Sequence, residues 1–225
     1  MISKNKITVK RSKRKTISIY VERDGALTVL VPEKTTDEEV DAVIKLNEYK
    51  IYKFKSKQEL LNQKAVKRDA VNGQPYLYLG RNYYLEFNNE LKTVELKGKY
   101  FYAAKVSKEK LTELFKEFYR TRGKTYLLKK AKTFAEKIGV TVEEIAVVDL
   151  KNRWASCSVK KPKINFHWKI MMAPVSVINY IIVHELSHLI HSHHNTEFWN
   201  TVDKVLPDYK KQIAWLEEYG ASLDV

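Results

Sequence analysis

The chain has 225 residues and a formal net charge of +14, from 41 lysine and arginine residues against 27 aspartate and glutamate residues. This length can bury a substantial core and forms one domain or two modest ones. The single cysteine, Cys157, excludes an intramolecular disulfide, and a small buried residue explains it better than a nucleophile. No apolar run reaches the length of a membrane helix, and the basic start lacks the apolar segment of a signal peptide, so we expect a cytoplasmic protein that does not associate with membranes.

The first 31 residues alternate between apolar and polar side chains, as half-buried strands do. The apolar positions form three groups, which are Ile7 and Val9, then Ile17, Ile19 and Val21, then Leu27, Val29 and Val31. Asp24-Gly25 is a typical hairpin turn between the last two groups. Thr36 and Asp37 then begin a helix that the apolar spacing extends to about Lys64.

Short apolar runs and turn residues follow this helix. Strands are predicted at 75–79, 82–87, 91–96 and 99–102, and turns at Asn72-Gly73 and Leu79 to Asn82. The first hundred residues therefore form a mostly β region around one long helix. Near residue 105 the pattern changes, and we place a domain boundary there, between residues 1–105 and 106–225, although no linker or repeat marks it.

The second half is predicted to mix helices with a few strands, which makes the whole chain an α+β protein. The expected elements are a helix from Ser107 to Gly139, strands at 144–150, 152–158 and 163–168, an apolar helix entered at Pro174 with core positions from Val177 to Ile190, and short helices from Asn195 to Val205 and from Pro207 to near Gly220. A long helix such as the first of these commonly packs against a central apolar helix.

The apolar helix carries the run His184-Glu185-Leu186-Ser187-His188, an H-E-x-x-H motif. Because one helical turn separates His184 from His188, both imidazoles project from one face and can bind a single Zn²⁺. Glu185 then lies beside the metal, where it can accept a proton from a metal-activated water. A chance pair of solvated histidines is the alternative, but the apolar helix around the motif is a rigid platform for ligands. The motif therefore predicts a zinc hydrolase, most often a peptidase.

A catalytic zinc usually has three protein ligands and keeps one position for water. The candidates for the third ligand are His191, His193, His194 and the carboxylate of Glu197. A straight helix would carry His191 a full turn along the axis, away from the metal. His194 follows a point where the helix can end and the chain can fold back. We therefore predict one Zn²⁺ per chain bound by His184, His188 and His194, with His191 and His193 at the surface or behind the ligands.

The motif and its surroundings resemble the YgjP-like metallopeptidase family. Residues 184–189 read H-E-L-S-H-L and are followed by His194 and then by Phe198-Trp199, which is the order and spacing of the family pattern. Residues 153–158 read R-W-A-S-C-S and resemble the family's R-W-G-S-C-S strand, with Ala155 in place of glycine. A looser similarity covers nearly the whole chain, and His167 stands where the family has asparagine.

The resemblance implies a zincin-like metallopeptidase domain with H-E-x-x-H on a core helix. It also implies that three histidines bind zinc and that glutamate is the general base, which here are His184, His188, His194 and Glu185. The substrate would be a peptide or protein. The family is similar in its metal motif to SprT-type proteases, which act on proteins crosslinked to DNA, so a DNA-stimulated protease is a further hypothesis.

The positive charge suggests a second kind of partner. Lysine and arginine cluster at Lys4 to Lys15, Lys50 to Arg68, Lys105 to Lys137 and Lys160 to Lys169. With interleaved aromatic residues, such a surface could bind nucleic acid, although a solvated lysine-rich surface over an aromatic core explains the same composition. The alternative function is a nucleic-acid-binding module with a structural zinc, whose fourth ligand would be His191, His193 or His167.

Substrate contacts are expected along the strands that precede the apolar helix. An extended peptide could add a strand to a sheet edge formed by residues 153–158 or 163–168. Arg153 could orient a substrate carboxylate or carbonyl, or could form a structural ion pair. Trp154, Phe198 and Trp199 are expected to be core residues that hold the segment of the third ligand.

Overall fold

The computed structural model describes residues 7–22, 26–63, 68–151, 153–159 and 162–225. The chain forms two compact units, Met1–Lys64 and Ala65–Val225, and both combine strands with helices, which confirms the α+β class. The change of character near residue 105 lies inside the second unit, and the predicted division into residues 1–105 and 106–225 stays a prediction. None of the described helices has both the length and the apolar character needed to cross a membrane.

The first unit contains a three-stranded sheet. Its strands are β1 (Ile7–Ser12), β2 (Ser18–Val21) and β3 (Leu27–Pro32), in the order β1-β3-β2. The central strand β3 runs parallel to β1 and antiparallel to β2. Its alternation buries Leu27, Val29 and Val31 completely, as the sequence predicts. The predicted turn at Asp24-Gly25 lies outside the described residues.

The single helix predicted from Thr36 to about Lys64 is wrong at one point, because two helices occupy this range. They are α1 (Asp37–Leu46) and α2 (Glu48–Gln63), and Lys64 lies outside the described residues. Thr36 caps α1, as predicted. The break falls at Asn47, whose side-chain amide donates a hydrogen bond to the carbonyl of Val43. An asparagine side chain competes in this way with backbone N–H groups for helical carbonyls. The spacing of apolar residues cannot reveal a break of one residue.

The second unit begins with a four-stranded sheet. Its strands are β4 (Pro75–Tyr78), β5 (Arg81–Phe87), β6 (Glu95–Lys97) and β7 (Tyr100–Ala103), in the order β4-β5-β7-β6. The strand predicted at 91–96 is β6, which is shorter and begins later than expected. The residues before it form a turn, in which the backbone N–H of Leu91 donates to the carbonyl of Asn88. The predicted turn at Asn72-Gly73 is present, whereas the turn predicted at Leu79 to Asn82 is confined to Leu79 and Gly80, because Arg81 and Asn82 already belong to β5.

The turn between β4 and β5 docks on the segment that leads into the central helix. The backbone N–H groups of Leu79 and Gly80 donate to the carbonyls of Met171 and Met172. Gly80 has φ +76°, and a Cβ at this position would lie 2.7 Å from the Cα of Pro174. Glycine is needed here for both its conformation and its size, and the close approach fixes the start of the central helix.

A long helix and a three-stranded sheet follow. They are α3 (Lys108–Ile138), β8 (Glu144–Val148), β9 (Ala155–Ser158) and β10 (Lys163–His167). Ser107 caps α3 by accepting a hydrogen bond from the N–H of Lys110, and left-handed Gly139 ends it, as predicted. The sheet order is β8-β10-β9, so β9 is an edge strand that pairs antiparallel with β10.

The remaining elements are the buried helix α4 (Val175–Ser187) and the shorter helices before and after it. The shorter helices are a 3₁₀ helix at Trp168–Met172, α5 (Thr196–Val205), α6 (Tyr209–Tyr219) and a 3₁₀ helix at Gly220–Ser222. The helix α4 contacts α3, as predicted, and also contacts α5, α6 and β9. It ends at Ser187, earlier than the apolar pattern suggests, and the first 3₁₀ helix was not predicted.

Candidate metal centre

Three histidines of the second unit converge on one point. His184, His188 and His194 each offer a ring nitrogen, and these atoms all lie within 4.8 Å of one another. The two Nε2 atoms of His184 and His194 are 3.0 Å apart. Nitrogens that bind one zinc at about 2.0–2.1 Å are separated by little more than about 3 Å in tetrahedral geometry, so this pair of nitrogens has the spacing that such an ion needs. Among the described residues, no other group of three metal-ligating side chains is arranged in this way.

The end of α4 and the start of α5 place these side chains. His184 lies in the last turn of α4, and His188 is the residue that caps it. The chain then turns, because the N–H of His191 donates to the carbonyl of Ser187. His194 directly precedes Asn195, whose side chain accepts the N–H of Phe198 and caps α5. The helix therefore ends and the chain folds back before His194, as the sequence predicts.

The Nδ1 atoms of the two helical histidines have partners outside the cluster. Nδ1 of His188 lies 3.1 Å from the carbonyl oxygen of His191, which can only accept, so this nitrogen carries the proton. Nδ1 of His184 lies 3.3 Å from the hydroxyl of Tyr180. His191 itself is 3.0 Å from the hydroxyl of Thr201 through its Nε2 atom. These contacts leave the Nε2 atoms of His184 and His188 to face the cluster.

Two aromatic residues, Phe198 and Trp199, pack against the histidines, of which His194 is exposed to solvent. Phe198 is fully buried, and its ring centroid lies 4.7–5.0 Å from those of all three imidazoles. Trp199 stacks on His194 at 5.8 Å with an interplanar angle of 27°. Both residues hold the segment of His194, as predicted. Trp154 lies elsewhere, 6.2 Å from the ring of His167.

Burial favours the neutral form of the imidazoles. It lowers the pKa of His184 to about 3, with smaller contributions from His188 and His194. Burial also lowers the pKa of His194, together with the charges of His188 and His193. Only an unprotonated nitrogen can bind a metal ion, so these shifts keep both residues ready for a metal at neutral pH.

Glu185 directly follows His184 on the buried helix α4 and is 7% exposed. Burial raises the pKa of its carboxyl to about 7, and the positive charge of Arg153 opposes that increase. The edge strand β9 packs on α4, and the charge of Glu185 adds to the burial that raises the pKa of Cys157 to about 11. Such a thiol is protonated at neutral pH, which favours the structural role predicted for Cys157.

The remaining ligand candidates lie outside the cluster. His193 and Glu197 are exposed. His167 is buried, accepts a hydrogen bond at Nδ1 from the N–H of Lys169, and faces Asp149 with Nε2 at 3.5 Å. Tyr180 also contacts the cluster, through its hydroxyl against Nδ1 of His184, and it is not among the residues predicted from the sequence. Its place four residues before His184, on the same helical face, is the signal that would have identified it.

Comparisons with known proteins identify the family of this chain. The chain is similar to the metallopeptidase zymogen abylysin of Pyrococcus abyssi, with 25% identity, a TM-score of 0.36, and coverage of 38% of this chain and 87% of that chain. No curated protein matches the chain significantly. The model of the YgjP-like metallopeptidase domain matches residues 15–219, which include the three histidines and Glu185. The chain therefore belongs to the YgjP-like metallopeptidase family, whose members are metal-dependent hydrolases of peptide bonds.

Proposed function

We propose that this metallopeptidase uses zinc, bound by His184, His188 and His194 at one ion per chain, and that Glu185 is the general base. The observation that carries the proposal is the convergence of three imidazoles on one point beside a buried carboxyl group. A catalytic zinc typically has three protein ligands, and this cluster supplies three nitrogens and leaves the fourth position to water or substrate.

The chemistry of the donors favours zinc over harder cations. Imidazole nitrogens suit zinc, whereas calcium and magnesium prefer oxygen ligands. The low pKa values of His184 and His194 reduce competition from protons at neutral pH. The hydrogen bond from Nδ1 of His188 to the carbonyl of His191 also leaves Nε2 as its ligand atom.

Glu185 follows His184 on α4, and its carboxyl has the pKa of a proton acceptor at neutral pH. When bound, zinc would lower the pKa of a water molecule and polarise the substrate carbonyl. The carboxylate of Glu185 would take the proton from the attacking water and deliver it to the leaving nitrogen. A carboxyl whose pKa lies near 7 can accept and return a proton at neutral pH.

The edge strand β9 supports a peptide substrate at this position. It is an outer strand of its sheet, and it packs beside α4, which carries Glu185. An extended peptide paired with such an edge would present its carbonyl groups without any demand on its side chains. Arg153 is exposed just before β9, and its charge acts on Glu185. We therefore place the substrate along β9, with Arg153 oriented towards its polar groups.

A structural zinc in a nucleic-acid-binding module requires a fourth protein ligand. His191 contacts Thr201 and His167 contacts Asp149, while His193 is exposed, so the arrangement favours the catalytic alternative. A nucleic acid partner and stimulation by DNA stay predictions from the net charge of the chain.

The test compares two adjacent histidines. We expect wild-type protein to contain one zinc per chain by elemental analysis and to cleave an unfolded protein such as casein. His194→Ala should weaken zinc binding and abolish cleavage, whereas His193→Ala, which removes the exposed neighbour, should change neither. Wild-type protein that neither contains nor binds zinc would refute the proposal.

A further inference from the structure

We propose that Tyr180 is a positioning residue of the metal centre. Its hydroxyl oxygen accepts a hydrogen bond from Nδ1 of His184 and thereby holds that imidazole in the tautomer and orientation in which Nε2 binds the metal. The inference rests on the proposed function, because it assigns a role relative to the zinc ligand His184.

The geometry of α4 brings the two side chains together. Tyr180 lies four residues before His184, so both project from one face of the helix. The hydroxyl oxygen is 3.3 Å from Nδ1, and the ring centroids are 5.7 Å apart in an edge-to-face arrangement. Tyr180 is 6% exposed, so little water competes for this contact.

The tautomer of His184 follows from its role as a ligand. A neutral imidazole carries one proton, and a metal at Nε2 leaves that proton on Nδ1. An N–H group without an acceptor in a buried site loses the hydrogen bond that it would make with water, which destabilises that arrangement. The tyrosine oxygen supplies the acceptor for His184, as the carbonyl of His191 does for His188 at 3.1 Å. Each of the two helical ligands thus has its own acceptor.

A column of stacked rings holds Tyr180 in place and continues to the third ligand. Tyr180 stacks on Tyr209 at 6.5 Å, and Tyr209 stacks on Trp199 at 5.2 Å. Trp199 in turn stacks on His194. The phenol ring therefore has little freedom to move away from His184, and phenylalanine at this position would keep the stacking while it removes the acceptor.

Zinc affinity of Tyr180→Phe, measured by competition with a chelator, tests the inference. Hydrogen-bond partners of metal ligands typically contribute about 10- to 100-fold to metal affinity, and we expect a loss of that size. Tyr78→Phe is the matched control, because it also removes the hydroxyl of a part-buried tyrosine. The ring of Tyr78 packs against Tyr83, Phe118 and Tyr119. This variant should bind zinc like the wild type. Wild-type affinity in Tyr180→Phe would overturn the inference.

A second measurement does not depend on the folding of any variant. Nitrogen NMR of wild-type protein with labelled histidine, in the presence of zinc, should show His184 protonated at Nδ1 and bound to the metal through Nε2. Metal at Nδ1 of His184 would overturn the inference and leave zinc binding by the cluster intact. Failure of wild-type protein to bind zinc at all would instead refute the proposed function, and the inference with it.

Discussion

Burial moves the pKa values of the adjacent residues His184 and Glu185 in opposite directions, lowering the first to about 3 and raising the second to about 7. The common cause is that a buried site disfavours the charged form of either group. Near pH 6 the metal-free protein therefore keeps His184 neutral and Glu185 protonated. A neutral ligand and a carboxyl that exchanges its proton near neutral pH are what a hydrolytic metal site requires.

The raised pKa of Glu185 predicts a pH-dependent effect of Glu185→Gln on the metal-free protein. The folded carboxyl holds its proton up to about pH 7, whereas the unfolded carboxyl loses it above about pH 4.5. The contribution of this carboxyl to the free energy of unfolding is therefore fully present below pH 4.5 and is lost as the pH rises through 7. Glutamine does not titrate, so the variant should gain stability relative to the wild type between pH 4.5 and 7, by up to about 3 kcal/mol at 1.36 kcal/mol per pKa unit.

Urea unfolding at several pH values, with a chelator present, measures this difference. Glu197→Gln is the control, because it makes the same substitution at an exposed position on α5. A stability difference between wild type and Glu185→Gln that stays constant from pH 4.5 to 7 would contradict the raised pKa.

Trp199→Ala should weaken zinc binding. The indole stacks on His194 and on Tyr209, so its removal frees the segment that carries His194, the proposed third ligand. We expect about tenfold lower zinc affinity, in the range of losses for residues that orient ligands, and a cost of about 2–4 kcal/mol in stability from the lost packing. Calorimetry and chelator competition measure these effects.

Trp215→Ala is the control, because it removes a ring of α6 that packs on Tyr219, and it should leave zinc affinity unchanged. An equal loss of zinc affinity in both variants would show that the effect is general destabilisation.

Arg153→Gln should shift the pH dependence of peptide cleavage. Burial raises the pKa of Glu185 and the charge of Arg153 opposes the increase, so loss of that charge should raise the pKa further. The acidic limb of kcat/KM against pH should therefore move to higher pH, and Arg153→Lys should restore it in part. Lys151→Gln removes another exposed positive charge and serves as the control. An unchanged profile in Arg153→Gln would assign this arginine a purely structural role.

The net charge of +14 predicts salt-dependent binding to nucleic acid. Fluorescence anisotropy with a single-stranded and a double-stranded DNA at increasing salt measures it, and casein cleavage with and without DNA shows whether the activity responds. Absence of binding even at low ionic strength would remove both nucleic acid and DNA stimulation from the account.

Local sequence signals predicted the parts of the fold that depend on near neighbours. The ends of α3 could be predicted from Ser107 and Gly139, because the residues that cap a helix lie next to its terminal turns in the sequence. The approach of His194 to His184 and His188 could be predicted, because a helix end followed by a fold-back brings a residue at this spacing into reach. The break at Asn47 was missed, because one hydrogen bond from its side chain decided it.

Contacts that depend on three-dimensional packing were not predictable from pattern alone. The 3₁₀ helix at Trp168–Met172 has carbonyl groups that accept hydrogen bonds from the turn at Leu79 and Gly80. This turn is distant in sequence, so no local pattern indicates the contact. The spacing of Tyr180 and His184 places both residues on one face of α4, but only the side-chain geometry shows that the hydroxyl contacts Nδ1 of His184.

Activity and zinc content of Glu185→Gln test the central claim most directly. Glutamine keeps the shape of the side chain and removes the proton acceptor, so the variant should retain one zinc per chain and lose casein cleavage by at least about 100-fold, as expected for removal of a general base. Glu197→Gln should retain both properties. Cleavage at the wild-type rate by zinc-loaded Glu185→Gln would contradict the assignment of Glu185 as the base.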